Sequence, residues 1–433
     1  MEKKQSKTTK KAAPKAAKKA VPVKVLTKSL KQNVKKSVKP TEAHVYAGPL
    51  LPDRFTPEGI VSLYYGQPLD SHSAGLDVPE PVKEPVLVTL PFKAAVAALW
   101  ITADIASGRS IMPILSNVRI AVAAGKATIQ ATDLEKSWTG TVPAEGGPIV
   151  ACIPVGVLLQ EIKALPKGTE TVELLFTGST ATHTASVSVN GRCEIHTQDV
   201  EEYTEIGKLP EAGDLPVCGN LLNGLKRVLP AASTDETRYV LTGVMLDFTH
   251  SKVVATDGFR LHTDDIQPDT SLAAAIIPLA SVKLMVRHEV SGAIGWTDNK
   301  HLACQMGEGI FTTRVIEGNY PDYENMVPKH NKNVVNFNRD EFLGLFTGAS
   351  IIDTVFRLTV NGDLNIESEG CEGRYNWHIP CEKKGNDIVL NFNGRFLVDA
   401  IRSYPLERVT MKIPDAYGAC LLNEKAVVMP IRV

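Results

Sequence analysis

The chain has 433 residues, of which 43% are hydrophobic and 22% are charged, and its formal net charge is −1. This composition is typical of a globular protein, and the length suffices for about three domains. The sequence contains no run of about 18 apolar residues and no apolar signal core near its start, so we expect neither a membrane span nor secretion.

The small net charge conceals a strong asymmetry along the chain. Residues 1–40 contain fourteen lysines and one acidic residue, Glu2, so this segment carries +13 and the rest of the chain carries −14. The segment has few apolar side chains to bury, which predicts a disordered basic arm. Its lysines favour contact with nucleic-acid phosphates, although a solvated or targeting tail has the same composition. Residues 41–84 are rich in proline and are interpreted as a linker.

The cysteines and histidines do not form metal-binding patterns. The histidines include no His-x-x-x-His pair, and the seven cysteines are scattered without a Cys-x-x-Cys motif, which is typical of reduced thiols in a cytosol-like compartment. We therefore expect no structural zinc, no catalytic metal and no cofactor. The cysteines are Cys152, Cys193, Cys218, Cys304, Cys371, Cys381 and Cys420.

Two segments of the chain repeat the same order of predicted elements. A helix over 92–107 precedes strands over 116–122 and 126–133, and a helix over 219–232 precedes strands over 242–248 and 252–258. The tripeptide Ala–Thr–Asp begins at 131 and again at 255, an offset of 124 residues. The pair Ile–Pro begins at 153 and 277, with the same offset, and each precedes a predicted helix. Two landmarks with one offset indicate a duplicated domain.

A third copy is less regular. Its predicted helices cover 338–352 and 390–404, with strands over 356–360 and 363–368 between them. Each copy thus contains two helices and several strands, which predicts an α+β fold in which the helices cover one face of a mostly antiparallel sheet. The expected domains are residues 85–210, 211–328 and 329–433, here called modules 1, 2 and 3.

Basic residues lie on the exposed faces of several predicted helices. The apolar residues of the 219–232 helix repeat at helical spacing and should face the sheet, so that Lys226 and Arg227 point away from it. Lys283 and Arg287 share one helix face, as do Arg395 and Arg402, and Lys163 is placed similarly in module 1. These residues either solvate exposed faces or together form an electropositive surface.

Longer motifs connect the chain to a known family. They are SGRSIMPILSNVRI (107–120), TRYVLTGVMLDF (237–248), VVATDGFRL (253–261), GNYPDYENMVP (318–328) and AVVMPIRV (426–433). In this order, over about 80% of the chain, they resemble the bacterial DNA polymerase III beta subunit family, the sliding clamps. The resemblance implies three tandem clamp folds that close into a ring as a head-to-tail homodimer around double-stranded DNA. It also implies a non-catalytic processivity factor, cytoplasmic and nucleoid-associated, that binds the replicative polymerase and clamp loader through short peptide motifs.

The resemblance assigns residues to three surfaces. The implied dimer contacts are Ile195, Ile351 and Ile352. The implied DNA contacts are Arg109, Lys163, Lys226, Arg227, Lys283, Arg287, Arg395 and Arg402. The implied peptide-binding pocket, between modules 2 and 3, consists of Leu241, Thr256, Gly258, Phe259, Arg260, Leu261, Pro321, Met326, Asn393, Phe396, Val427, Val428, Met429, Pro430, Ile431 and Arg432.

Three positions depart from the family pattern in the region of this pocket. Phe259 stands where histidine is common, Asn325 stands where arginine is familiar, and Phe396 replaces a tyrosine. These positions bear on which peptide the pocket prefers.

Two other functions are alternatives to a sliding clamp. Asp133 and Asp257 are the carboxylates that an enzyme would use, but an aspartate after a strand usually forms a turn, and the chain has no nucleotide-binding glycine-rich loop. A basic-tailed protein that organises chromosomes by binding DNA from outside, without encircling it, is the alternative that stays open.

Overall fold

The computed structural model describes residues 84–432 apart from 107–111, 179–185, 205, 207–208, 269–271, 299, 346–354 and 371–372. The predicted basic arm and nearly all of the predicted linker lie outside the described residues, as do Arg109, Ile351 and Ile352. Among the described residues, no helix is both long enough and apolar enough to cross a membrane.

The described residues form six α-helices, two in each module. Pro154 and Pro278 directly precede the second helix of modules 1 and 2, where a proline costs no hydrogen bond because the first helical N–H groups have no partner in the helix. Asn338 and Asn393 cap both helices of module 3 with their side-chain oxygens. The helices are α1 (Phe92–Ala106), α2 (Val155–Lys163), α3 (Leu221–Val228), α4 (Leu279–Arg287), α5 (Arg339–Gly344) and α6 (Gly394–Ser403).

Short 3₁₀ helices occupy several connections. The predicted 219–232 helix ends as α-helix at Val228 and continues as one 3₁₀ turn, because Pro230 has no N–H to donate. The 3₁₀ helices span Pro113–Ser116, Ala212–Asp214, Leu229–Ala231, Glu236–Thr242 and Glu324–Met326.

The strands fall into three groups of nine along the described chain. Module 1 contains β1 (Val86–Pro91), β2 (Asn117–Ala123), β3 (Lys126–Thr132), β4 (Lys136–Pro143), β5 (Glu145–Gly146), β6 (Ile149–Pro154), β7 (Thr171–Thr177), β8 (Ser186–Val189) and β9 (Cys193–His196). Module 2 contains β10 (Cys218–Gly219), β11 (Gly243–Asp247), β12 (Lys252–Thr256), β13 (Arg260–Asp265), β14 (Gln267–Pro268), β15 (Ala275–Pro278), β16 (Ile294–Trp296), β17 (His301–Met306) and β18 (Gly309–Arg314). Module 3 contains β19 (Asn333–Asn338), β20 (Val355–Val360), β21 (Leu364–Gly370), β22 (Gly373–Ile379), β23 (Cys381–Lys384), β24 (Ile388–Asn393), β25 (Arg408–Ile413), β26 (Cys420–Leu422) and β27 (Ala426–Val428).

Two sheets run across the junctions between modules. A seven-stranded sheet, in the order β16-β17-β18-β4-β3-β2-β6, joins modules 1 and 2 where β18 pairs with β4. A nine-stranded sheet, in the order β15-β11-β12-β13-β27-β26-β25-β19-β23, joins modules 2 and 3 where β13 pairs with β27. The paired strands are antiparallel, as the sequence predicted, and the α+β fold class is confirmed. Backbone hydrogen bonds therefore hold neighbouring modules together.

The remaining sheets lie within single modules. A five-stranded sheet in the order β5-β1-β7-β8-β9 belongs to module 1, and a four-stranded sheet in the order β22-β21-β20-β24 belongs to module 3. Module 2 adds the short pair β10-β14. Strands β9 and β22 are thus sheet edges at opposite ends of the three-module chain.

The helices form one continuous layer in the order α2-α1-α4-α3-α6-α5. Helices α1 and α2 pack together, as do α3 and α4, and α5 and α6, while α3 contacts α6 across the second junction. An ion pair between Asp104 on α1 and Arg287 on α4 spans the first junction. Leu221, Leu225 and Val228 of α3 are buried against the sheet, as their spacing predicted. The sheets thus pack against the apolar side of the helix layer, and its polar side stays accessible.

Candidate functional site

The Ala–Thr–Asp tripeptide ends a strand because its two polar side chains build the turn that follows. The Thr256 hydroxyl donates to the Arg260 carbonyl oxygen at 2.6 Å and accepts from the Gly258 N–H at 3.1 Å. The Asp257 carboxylate accepts from the N–H groups of Phe259 and Arg260 at 2.9 and 3.0 Å. Gly258 has φ of +89°, and a Cβ atom there would lie 2.9 Å from a guanidinium nitrogen of Arg238.

The same turn occurs 124 residues earlier. The Thr132 hydroxyl donates to the Lys136 carbonyl oxygen, and the Asp133 carboxylate accepts from two N–H groups and binds the Lys136 ammonium group. Leu134 takes the place of Gly258 with φ of +78°. The predicted sequence repeat therefore corresponds to the same hydrogen-bonding pattern in both turns. Both aspartates serve as turn carboxylates, as their position after a strand predicted.

The two turns differ in the side chains that they present at their junctions. The first lines a cleft of about 360 Å³ with Leu134, Glu135 and Lys136, opposite Asp298 and His301. The second presents Phe259 where the first has Glu135. The second turn therefore presents an aromatic side chain where the first presents a carboxylate.

Arg260 lies at the centre of the junction between modules 2 and 3. Its guanidinium donates to Asp257 at 3.0 Å and to Asp399, on α6, at 2.8 Å. It also lies 4.3 Å from the ring centroid of Phe396, and the Phe396 ring stacks on that of Phe259 at 6.5 Å. The Arg260 residue is only 8% exposed, so both its charge and its stem are fixed in place.

The C-terminal segment runs along the same junction. Val428 pairs with Arg260, and Val427 pairs with Leu261, in the β13–β27 ladder. Beyond β27, the Met429 N–H donates to the Phe259 carbonyl oxygen at 2.9 Å, and the Ile431 N–H donates to that of Asn391 at 2.6 Å. The segment therefore contacts both modules and brings its side chains beside the Thr256–Arg260 turn.

A small apolar cluster lies under this segment. Its buried members are Val254, Leu261, Tyr323, Leu421 and Val427, which come from modules 2 and 3 and the connection between them. The Tyr323 hydroxyl donates to the Asp247 carboxylate at 2.9 Å, which anchors the connection. Burial opposes ionisation of Asp247, yet hydrogen bonds from His250 and Tyr323 hold the pKa of this carboxyl below its usual value.

A cleft of about 430 Å³ opens beside Arg260. It combines residues predicted for two different surfaces, because Phe259, Arg260 and Phe396 were assigned to the peptide pocket and Lys283 and Arg395 to DNA. The cleft thus places aromatic rings next to cations from α4 and α6. The full lining is Leu229, Pro230, Ala232, Ser233, Thr234, Asp235, Arg238, Asp257, Phe259, Arg260, Leu279, Lys283, Arg395 and Phe396.

The sixteen predicted pocket residues divide by exposure into walls and supports. Those with exposed surface are Gly258, Phe259, Met326, Met429, Ile431 and Arg432, and those partly exposed are Leu241, Pro321, Asn393, Phe396 and Pro430. The buried ones are Thr256, Arg260, Leu261, Val427 and Val428. Val428 packs into the core of module 3 and Leu261 into the small apolar cluster, so both support the site from behind.

Most of the predicted DNA contacts within the described chain lie on exposed helix surface. These residues are Lys163, Lys226, Lys283, Arg287, Arg395 and Arg402. Arg227 is placed differently from the expectation that it points away with Lys226. It donates to Asp264 at 2.6 Å, because this carboxylate is buried at the α3–β13 contact and needs a cation.

Of the predicted dimer residues, only Ile195 lies in the described part of the chain. It belongs to edge strand β9, pairs with Val187 and is 6% exposed. Its side chain therefore packs into module 1, while the backbone of β9 forms the edge of the five-stranded sheet.

Sequence reasoning missed Asp399, the second carboxylate that binds Arg260. Asp399 follows Phe396 by one helical turn on α6, so the two side chains share a face. That spacing indicates a helix face but does not reveal the partner, because Arg260 lies 139 residues away in the sequence. The described residues contain no cluster of histidine, cysteine and acidic side chains that would hold a metal ion.

Comparison with known proteins identifies the fold and family. The family model for the DNA polymerase III beta subunit N-terminal domain matches residues 93–207, and the model for its central domain matches residues 219–322. Among curated proteins, a beta sliding clamp from Pseudomonas aeruginosa is 25% identical over 375 residues, which cover 79% of this chain and 99% of that protein. A beta sliding clamp from Haemophilus influenzae is 24% identical over 351 residues, which cover 75% and 94%.

Solved structures agree with this assignment at the level of the fold. The DNA polymerase III subunit beta from Pseudomonas aeruginosa superposes with a TM-score of 0.70 at 24% identity, over 80% of this chain and all of that chain. The beta subunit from Thermotoga maritima superposes with a TM-score of 0.69 at 24% identity, over the same shares. The repeated turn, the sheets that cross both junctions and the two matched domains together show that the chain belongs to the DNA polymerase III beta subunit family, the beta sliding clamps.

Proposed function

We propose that this protein is a DNA sliding clamp, a non-catalytic processivity factor that encircles duplex DNA and tethers a replicative DNA polymerase. The observation that carries the proposal is the continuous helix layer backed by sheets that cross both module junctions, in a chain of the clamp family. The strand pairing across both junctions suits a scaffold that forms half of a ring. Residues 85–210, 211–328 and 329–433 would be its three clamp domains.

The exposed basic residues of the helix layer support a channel that accepts DNA. Contacts of lysine and arginine with phosphate carry no sequence information, so they permit sliding along the duplex. Each contact is allowed to be weak, because a closed ring is retained by topology. Lys163, Lys283, Arg287 and Arg402 would supply such contacts from three modules.

A homodimer is the assembly that the two sheet edges support. Each edge strand leaves a row of backbone groups without a ladder partner, and β9 and β22 end the chain of modules on opposite sides. Pairing β9 of one protomer with β22 of the other would be a heterologous contact that closes after two subunits. Stacked Tyr375 and Trp377 on β22 would flank this contact.

The dimer is tested by adding one charge to the edge strand. Tyr375→Lys places an ammonium group on β22, whereas Val389→Lys places the same group on β24, at the opposite edge of the same sheet. Sedimentation equilibrium should show a weakened dimer for Tyr375→Lys and an intact one for Val389→Lys. Equal dimer affinity for both variants and the unaltered protein would refute pairing through β22.

The peptide site would occupy the surface of the Thr256–Arg260 turn and the C-terminal segment. The aromatic and thioether side chains exposed there, with an Arg260 fixed by two carboxylates, suit a short peptide with Leu or Phe anchors. The polymerase and the clamp loader would use this site. We also place the protein in the cytoplasm, with the nucleoid.

Loading onto nicked circular DNA followed by linearisation tests the central proposal. A clamp should require a loader, stay on the circle through a high-salt wash, and leave promptly once the circle is cut. A protein that binds DNA from outside should instead dissociate in high salt from circular and linear DNA alike, which would favour the chromosome-organising alternative. A parallel variant without residues 1–84 measures what the basic arm adds.

A further inference from the structure

Trp100 is an exposed tryptophan on α1, in the helix layer beside the first module junction. Its neighbours Leu99 and Ile101 on α1 are buried, whereas Trp100 is 42% exposed. A single exposed aromatic residue needs no explanation. Trp100 differs because polar groups from two modules converge on its ring.

Two cations from different modules lie against this ring. The ammonium group of Lys163, at the end of α2, is 5.8 Å from the ring centroid, and the guanidinium group of Arg287, at the end of α4, is 5.6 Å from it. Both distances are within the range in which the ring quadrupole attracts a cation, and tryptophan is the strongest partner of this kind.

The ring is itself held in place. His288 meets it edge-on, with ring centroids 5.2 Å apart and an interplanar angle of 79°. The Nε2 atom of His288 lies 2.7 Å from a carboxylate oxygen of Asp104, and the other oxygen of Asp104 lies 3.1 Å from the Arg287 guanidinium. Asp104 follows Trp100 by one turn of α1, so one helix face supplies both the aromatic ring and the carboxylate.

We propose that Trp100 is a positioning residue for DNA phosphates, which holds Lys163 and Arg287 in a fixed pair at the junction of modules 1 and 2. This inference rests on the proposed clamp function. A long basic side chain loses rotamer freedom when it binds phosphate, and a cation already held against a ring loses less. Arg287 has five N–H donors, so its contact with Asp104 leaves donors for a phosphate.

The pair suits a protein that slides. Two cations held in place can bind the phosphates of any duplex without reading its bases. One residue of α1 thus contacts cations from both α2 and α4 at the first module junction. Asp104 and His288 orient the ring and the guanidinium without contacting DNA themselves.

The test compares Trp100→Leu with Trp100→Phe in the full-length protein. Leucine keeps apolar bulk and removes the ring, whereas phenylalanine keeps a ring that attracts cations. Binding to a fluorescent 30-base-pair duplex is measured by anisotropy over a series of salt concentrations. We expect Trp100→Leu to lose about fivefold in affinity at low salt and to reduce the slope of log K against log [salt] by about 1, since each phosphate contact contributes about 0.9. Trp100→Phe should retain most of both.

A second background separates positioning from folding. The double variant Lys163→Gln/Arg287→Gln has neither of the two cations that Trp100 would position. Adding Trp100→Leu to it should therefore change neither the affinity for DNA nor the salt slope. A further loss of the same size in this background would overturn the proposal, as would an unaltered slope for Trp100→Leu alone. Should Trp100→Leu fold poorly, Trp100→Met replaces it in both backgrounds, because methionine also keeps apolar bulk and removes the ring.

Loading onto nicked circular DNA followed by linearisation distinguishes a failure of this inference from a failure of the proposed function. Loss of retention by the unaltered protein would contradict the clamp, irrespective of Trp100. Retention by the unaltered protein with equal salt slopes for all Trp100 variants would contradict only the positioning role.

Discussion

Arg260 and Asp399 join two modules through an ion pair of 2.8 Å between residues 139 positions apart. The Arg260 side chain is 8% exposed and that of Asp399 is 23% exposed, so the pair is largely shielded from water. Asp257, within the same turn as Arg260, binds the guanidinium from the other side. One cation thus couples the turn that follows β12 to the middle of α6, beside the aromatic pair Phe259 and Phe396.

Asp399→Asn should therefore destabilise the protein. The amide removes one charged partner of Arg260 and leaves Asp257, so we expect a loss of about 2 kcal/mol in the free energy of unfolding, less than for an unpaired buried charge. Urea denaturation measures it. Glu382→Gln is the matched control, because Glu382 and Arg408 also lie 2.8 Å apart but are both exposed. This control should change stability by less than about 0.5 kcal/mol, and similar losses for both variants would contradict the argument.

Phe259→Ala should weaken peptide binding without unfolding the junction. Phe259 is 56% exposed and contacts Phe396 and Arg238 through its ring, so its removal costs little buried area. We expect about tenfold weaker binding of a short peptide with Leu and Phe anchors, as is common for an aromatic anchor, and a stability change below about 1 kcal/mol. Isothermal titration calorimetry provides the affinity.

Leu406→Ala is the control for this prediction, since Leu406 is 51% exposed and lies outside the cleft beside Arg260. It should bind the peptide like the unaltered protein. Unchanged affinity in Phe259→Ala would show that the peptide does not contact this turn.

The local elements were the part of the fold that the sequence predicted best. The Ala–Thr–Asp repeat located both turns, because threonine and aspartate side chains satisfy the N–H groups that a strand end leaves open. The Ile–Pro pairs located the starts of α2 and α4. Helix α1 was expected over 92–107 and spans Phe92–Ala106. These signals are encoded within a few residues of where they act.

Contacts between distant residues could not be predicted in this way. The partner of Arg227 is Asp264, which lies 37 residues further along the chain on β13, and nothing in the helix pattern distinguishes Arg227 from Lys226. Trp100 has the spacing of an ordinary helix residue, and only the packing of α1 between α2 and α4 brings Lys163 and Arg287 to it. Both cases depend on how elements pack, which sequence periodicity does not encode.

Substitution of Arg227 should therefore reduce the stability of the protein, whereas substitution of Lys283 should weaken its binding to DNA. Arg227→Ala removes a charged hydrogen bond to buried Asp264 and should cost about 1–2 kcal/mol of stability, moderated because Lys425 also lies 3.3 Å from that carboxylate. Lys283→Ala should leave stability within about 0.5 kcal/mol and reduce the salt slope of duplex binding by about 0.9. Urea denaturation and anisotropy titrations measure the two effects. The assignment of Arg227 to structure would be wrong if its substitution altered only the salt slope.

His262 should make the protein less stable in mild acid. The residue is fully buried on β13, its Nδ1 atom lies 3.1 Å from the Arg227 carbonyl oxygen, and burial lowers its pKa from 6.5 to about 4. The folded state therefore keeps the neutral ring while the unfolded chain takes up a proton. The stability linked to His262 is complete above pH 6.5 and is lost as the pH falls towards 4, by roughly 2–3 kcal/mol between pH 7 and pH 4.5.

His262→Gln removes this titration and keeps a donor for the Arg227 carbonyl oxygen. Its free energy of unfolding, relative to the unaltered protein, should rise by that amount as the pH falls from 7 to 4.5. His250→Gln is a control of opposite sign, because a hydrogen bond from His250 to Asp247 raises the pKa of this exposed histidine. The stability linked to His250 is present below pH 6.5 and is lost as the pH rises through its pKa in the folded state, so His250→Gln should fall further behind the unaltered protein in acid. Parallel curves for His262→Gln and the unaltered protein across this pH range would mean that the buried ring does not resist protonation.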